Sequence, residues 1–112
     1  MTKTREDLIA RALKKLGAVG AGQSPAPEDT QEVDGSIEPI LSDLAQRNVY
    51  VWGDPDQVED EAFEHLAEIL ANANARIFGK EPDENVRLLA ERRLRNLNLA
   101  VLSGQPQTTE YY

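Results

Sequence analysis

Leu8, Ile9, Ala12, Leu13 and Leu16 recur at the three-and-four spacing that lines one face of a helix. Thr4 stands where it can cap that helix, with Asp7 three residues on, an acidic variant of the capping box. Lys14 and Lys15 fall in the last turn, where cations complement the helix dipole, and Gly17 supplies a left-handed stop. From Ala18 to Pro27 the chain is rich in Gly, Ala, Ser and Pro and reads as a loop. Pro27 then suits the first position of a second helix, with Glu28 and Asp29 in its first turn. Its buried stripe is Val33, Ile37, Ile40, Leu41 and Leu44. Pro39 cannot donate to the carbonyl of Gly35 and crowds it, at about 3 kcal/mol in a regular helix, so a kink or break is expected near Gly35 to Glu38.

Asn48 ends the second helix. Val49-Tyr50-Val51-Trp52 favours extended backbone, either as a connector or as an edge that pairs with another chain. A third helix is expected between a cap at Asp54, with Pro55 in its first turn, and a stop at Gly79. Some 24 residues long, it would span roughly 36 Å. Val58, Phe63, Leu66, Ile69, Leu70, Ala73 and Ile77 are its inward positions, and Glu61, Glu64 and Glu68 share its solvated side. A fourth helix runs from Glu81 to Leu102, opened by Pro82 and Asp83. Val86, Leu89, Ala90, Leu94, Leu97 and Val101 form its stripe, with Leu88, Leu99 and Leu102 beside it. That arc is wider than one partner helix needs. The fold class that follows is all-α: a small bundle of about four helices with an extended connector, in one domain over residues 1–102.

The remainder, Ser103-Gly104-Gln105-Pro106-Gln107-Thr108-Thr109-Glu110-Tyr111-Tyr112, is a polar tail and is expected to be flexible until bound. Fully extended it reaches about 33 to 36 Å, enough to leave its own domain. Its two tyrosines cannot serve the core from there, and folding on binding explains them better. Tyr50 and Trp52 are the other candidate interface aromatics.

Charge sharpens this picture. The net charge is −8, but from Glu28 to Glu68 there are thirteen acidic residues and one basic residue, Arg47. Both flanking segments are slightly positive. Such a surface repels a nucleic-acid backbone, so sequence-independent DNA binding is not expected. Glu59, Asp60, Glu61, Glu64 and Glu68 form an acidic run on the third helix, and Arg87, Arg92, Arg93 and Arg95 make the fourth its basic counterpart. Opposite charges on two faces of one chain suit head-to-tail packing of identical subunits, the kind that closes into rings.

Catalytic signatures are missing from the sequence. With no cysteine, disulfides and thiolate metal sites are excluded. His65 is the single histidine, so Ser42 and Ser103 would have to share it in any nucleophilic arrangement. Glu61, His65 and Glu68 lie near one another on a helix but match no strong zinc or di-iron spacing. Asp54, Asp56 and Glu59 resemble the start of a calcium loop, which then fails at Val58, Glu59 and His65. Gly17, Gly20 and Gly22 follow a helix and precede no phosphate-loop lysine. No enzyme activity and no cofactor are expected. The first residues are charged and carry no apolar stretch, so no signal peptide is expected, and no apolar run approaches the roughly 20 residues of a membrane span.

The opening TKTREDLIARALKKLGAVGAG, the loop PAPEDT, the segment LSDLAQRN and the run EHLAEILANANARIFG occur in this order. Together they resemble the phage tail accessory factor family, also called packaged-DNA stabilisation proteins, within the head–tail connector and adaptor group. The resemblance covers roughly Met1 to Gly79. ALKKLG (Ala12 to Gly17) and LAEILANANARIFG (Leu66 to Gly79) are its most specific stretches. It implies a helical protomer that forms a dodecameric ring, partner to a dodecameric portal, at the head–tail junction of a virion assembled in the host cytoplasm. Such a ring prolongs the DNA channel, retains packaged DNA without sequence-specific binding, and offers a docking platform to a downstream tail or nozzle protein. It also implies that the segment 103–112 is an arm contacting the portal. The interruption at Pro39 and the short chain depart from the larger tail accessory proteins. The competing reading is a small acidic helical regulator or DNA mimic.

Overall fold

The structure is a computed structural model that describes residues 2–19, 23, 25–51 and 57–103, with the backbone alone for Thr2 and for 98–103. Helix α1 (Arg5–Lys15) opens with the capping box expected of it: the Thr4 hydroxyl accepts from the Asp7 amide at 3.1 Å, and the Asp7 carboxylate accepts from the Thr4 amide at 3.1 Å. Its far end is a Schellman turn. Gly17, at φ +74°, donates to Lys14 O and Ala18 donates to Leu13 O, both at 3.0 Å.

Helix α2 (Pro27–Gln46) carries Pro at its first position and is one uninterrupted helix, so the break expected near Gly35 to Glu38 is not present. Gly35 and Pro39 both lie on the exposed side, where water can satisfy the carbonyl left without a donor, while Val33, Ile37 and Leu44 hold the opposite side in the core. The helix ends on Asn48 at φ +58°, with Asn48 donating to Ala45 O and Val49 to Leu44 O. Polar side chains such as Asn tolerate that left-handed conformation best after Gly.

Two short strands, β1 (Thr2–Lys3) and β2 (Val58–Glu59), pair antiparallel with Thr2 opposite Glu59 and Lys3 opposite Val58. This pairing corrects the expected start of the third helix. Helix α3 is Asp60–Asn74, followed by a 3₁₀ turn at Arg76–Phe78, because residues 58–59 are drawn into the strand pair and Val58 is buried there. The proposed cap Asp54, with Pro55 and Asp56, lies outside the described residues. The change from α to 3₁₀ geometry also turns the last side chains: Phe78 packs on the core, whereas Ile77, expected inward, is exposed, as Ala73 already is within α3. A third Schellman turn closes the element at Gly79 (φ +75°), with Lys80 donating to Ala75 O at 2.8 Å.

Helix α4 (Glu84–Ser103) starts three residues later and ends one later than expected, so Ser103 belongs to the helix and not to the tail. Asp83 caps it by accepting from the amides of Asn85 and Val86. The Asn72 side chain clamps the Asp83 backbone at both ends, accepting from its amide at 2.6 Å and donating to its carbonyl at 2.9 Å. This ties the start of α4 to α3.

Helix α3 is the centre of the bundle and packs against each of the other three helices. Its Phe63, Leu66, Ile69 and Leu70 meet Leu8, Ile9 and Leu13 of α1, Val33, Ile37 and Leu44 of α2, and Ala90 and Leu94 of α4 in one core. Buried Asn74 donates to Leu70 O at 2.9 Å and to Ser36 Oγ at 3.0 Å, a polar link between α3 and α2. Among the described residues no helix is long and apolar enough to cross a membrane.

Gly35 offers a clean local test. It is helical, has an ordinary backbone, and a Cβ added there would meet nothing within 4 Å. Gly35→Ala is therefore expected to stabilise the monomer by about 0.5 to 1 kcal/mol, seen as a rise of a few degrees in the thermal midpoint.

Candidate functional interface

The charges divide into those neutralised inside the chain and those left over. Three of the four cations of α1 are spent on its neighbours. Arg5 reaches Asp34 at 2.7 Å and Glu38 at 3.2 Å on α2; Arg11 and Lys15 both reach Glu64 at 3.0 Å, and Lys15 reaches Glu68 at 3.4 Å. Burial alone would push the Glu64 carboxyl up, but hydrogen bonds from Lys15 and Arg11 hold it below the usual range. Glu64 and Glu68, from the acidic run expected to serve packing between subunits, are ion-paired with α1, which flanks α3 on that side, while their side chains stay 52% and 40% exposed.

A second cluster joins α2 to α4. Glu91, whose side chain is only 4% exposed, receives Arg47 at 2.9 Å and Arg87 at 2.6 Å, and each arginine holds a further carboxylate, Asp43 and Glu84 respectively. The Arg47 guanidinium, followed by the charge of Arg87, keeps the Glu91 carboxyl below its ordinary pKa despite burial. Arg87 is thus occupied within its own chain.

Tyr50 is also accounted for internally. Its ring is buried in the core and its hydroxyl donates to Glu59 Oε1 at 2.6 Å, so the expectation of an open interface aromatic is corrected for this residue. Burial, and then that hydrogen bond, push the phenol well above its usual pKa. Glu59 is engaged by the same contact. Val49 is buried and Val51 exposed. Trp52 and the tail from Gly104 to Tyr112 lie outside the described residues, as does any pairing by Trp52.

Two groups stand out among the charges that remain. Glu28 and Glu32 on α2 and Asp60 and Glu61 at the start of α3 form no ion pair with another described residue, and neither do Arg92, Arg93 and Arg95 on α4. All seven are exposed. Apolar surface accompanies them: Leu88 is 50% exposed and Leu89 47% exposed on α4, and Ile77 is 62% exposed after α3. The expected stripe of α4 is narrower than its sequence suggests, since only Ala90 and Leu94 are buried among its apolar residues with described side chains.

An open groove of about 550 Å³ lies between α2 and the end of α3, with Glu28 and Glu32 on its rim and Gly35, Ala73 and Ile77 along it. A smaller groove between α3 and α4 is lined by His65, Leu89 and Arg93. Burial, then the positive charge of Arg93, lowers the His65 pKa against the opposing pull of Glu64 and Glu68. Glu61, His65 and Glu68 do not converge: among the described residues no three His, Cys, Asp or Glu side chains are placed to hold a metal ion.

No family model, curated protein or solved structure matches the chain. The fold defines its class, a small all-α bundle, and its candidate chemistry is that of surfaces.

Proposed function

We propose that this chain is a structural virion protein, a head-to-tail adaptor that forms a ring beneath a portal, extends the DNA channel, retains packaged DNA and presents a platform for later tail proteins. One observation carries the reading: α4 is anchored along one side and leaves a second, basic and leucine-bearing side open, on a chain whose sequence continues into a polar segment ending in two tyrosines. A ring protomer needs surface of this kind beyond its own core, for its copies and for a larger partner. The excess of carboxylates gives such a channel little affinity for the DNA that must slide through it. The ordered resemblance over Met1 to Gly79 supplies the specific partner, the portal.

The test is capture on purified portal-bearing capsids. Deletion of Gln105–Tyr112 should leave the thermal midpoint within about 1 °C of wild type, since exposed tails contribute little to stability, while capture falls to background. Full capture by the truncated chain would refute the arm. Failure of the intact chain to bind any portal preparation would refute the adaptor, and salt-sensitive binding to DNA-binding proteins instead would favour an acidic regulator.

A further inference from the structure

Two of the surfaces left uncompensated match in length and are opposite in charge. On α2, Glu28, Glu32 and Gly35 stand at i, i+4 and i+7, all exposed along one side of the helix. On α4, Leu88, Arg92 and Arg95 stand at the same i, i+4 and i+7, also exposed. At 1.5 Å per residue each set spans about 10.5 Å. Laid antiparallel with Arg95 at Glu28 and Leu88 at Gly35, the two sets leave Arg92 one residue, about 1.5 Å, out of step with Glu32, an offset that a long arginine side chain spans. The last position is where the α2 surface lacks a side chain, with nothing within 4 Å of the place a Cβ would take. Ala73 and Ile77 form the other wall of that groove, so a leucine seated there meets apolar surface on α3 as well as α2.

We infer that the groove between α2 and the end of α3 receives the outer face of α4 from a second copy of this chain, with Leu88 in the gap at Gly35 and Arg92 and Arg95 on Glu32 and Glu28. The occupant is argued from this charge complementarity and matched length. None of the residues lining the groove comes from α4 of the same chain, and Arg92 and Arg95 have no carboxylate of their own among the described residues. Each copy presents one groove and one ridge on different helices. The contact is therefore heterologous and propagates head to tail, closing into a ring when the rotation per subunit permits. It rests on the ring-forming reading above and names the surfaces that build the ring. It also replaces the α3 carboxylates Glu64 and Glu68, which α1 already neutralises.

The experiment is sedimentation of the full chain over a wide concentration range. The wild type should form oligomers. R92E/R95E and E28K/E32K should each weaken self-association by on the order of tenfold to hundredfold, as reversal of close interfacial charges does. An equimolar mixture of the two variants should reassemble, because every groove then finds a ridge of opposite sign. Gly35→Leu fills the gap that Leu88 occupies and should block assembly in a monomer at least as stable as wild type, which separates docking from folding. A wild type that stays monomeric at high micromolar concentration, variants that assemble as wild type does, or a mixture that fails to reassemble would each overturn the contact. Capture on portal capsids, measured in parallel, keeps the two ideas apart. Wild-type capture with unaffected assembly of the charge-reversed variants refutes this contact alone, whereas absence of wild-type capture refutes the adaptor.

Discussion

Leu94→Ala is expected to cost about 3 kcal/mol and to release α4 before the rest of the bundle opens. Leu94 is fully buried, and with Ala90 and the partly buried Leu97 it attaches α4 to the core. Removing three carbons from such a site loses their transfer free energy and leaves a cavity that a helix held on one side closes only in part. Helices α1 and α2 each pack on α3 independently of α4, and Leu8, Leu13, Val33 and Ile37 lie in the core that they share with it. The loss should therefore be local first. For a domain of this size it corresponds to a fall of on the order of 10 to 20 °C in the thermal midpoint. Amide exchange gives the sharper readout: protection in α4 should drop while protection in α1 and α3 persists. If all helices lose protection together, α4 is an integral part of the cooperative core and the ridge it presents cannot be a separately hung element.

The parts of this architecture that were legible in the sequence rest on local rules. Gly17, Asn48 and Gly79 end their elements as left-handed stops, and Thr4 with Asp7 opens α1, because capping is settled by residues within one turn. The expected break at Pro39 failed for the opposite reason. A local cost of a few kcal/mol is offset when Val33, Ile37 and Leu44 are all buried on the far side of the same helix. The start of α3 was misplaced because β2 is made by pairing with Thr2–Lys3, more than fifty residues away, which no periodicity within 54–60 can reveal. The same holds for the interface. Composition correctly separated acidic and basic segments, but could not say which charges were already spent. Glu64 and Arg11 pair across 53 residues, and Arg47 and Glu91 across 44. The i, i+4 spacing of Arg87 and Glu91 was a signal available in the sequence. On its own it reads as a surface pair, and only the buried side chain of Glu91 gives it weight.

That buried carboxylate should make the docking of α4 acid-labile. Arg47 and Arg87 remain charged at any accessible pH, so the cluster titrates through Glu91, held below its ordinary value of 4.5 by Arg47 and then by Arg87. A carboxyl with a depressed folded pKa binds protons more weakly in the native than in the unfolded state. Its stabilisation is thus complete above pH 4.5 and is lost as the pH falls through the lower, folded value. Asp43, Glu64 and Glu84 are depressed in the same sense. A comparison of wild type with Glu91→Gln removes Glu64, which lies outside the cluster, and reads the cluster in which Asp43 and Glu84 share Arg47 and Arg87 with Glu91. Arg47 and Arg87 are each about a third open to water and can rehydrate, so the substitution should cost only about 1.5 to 2 kcal/mol at pH 7. That gap should narrow as the pH falls below 4.5, while a double-mutant cycle with Arg47→Ala returns most of the difference as coupling. A gap that persists unchanged down to pH 3 would mean that Glu91 contributes through packing instead of charge, and that α4 is aimed by its leucines alone.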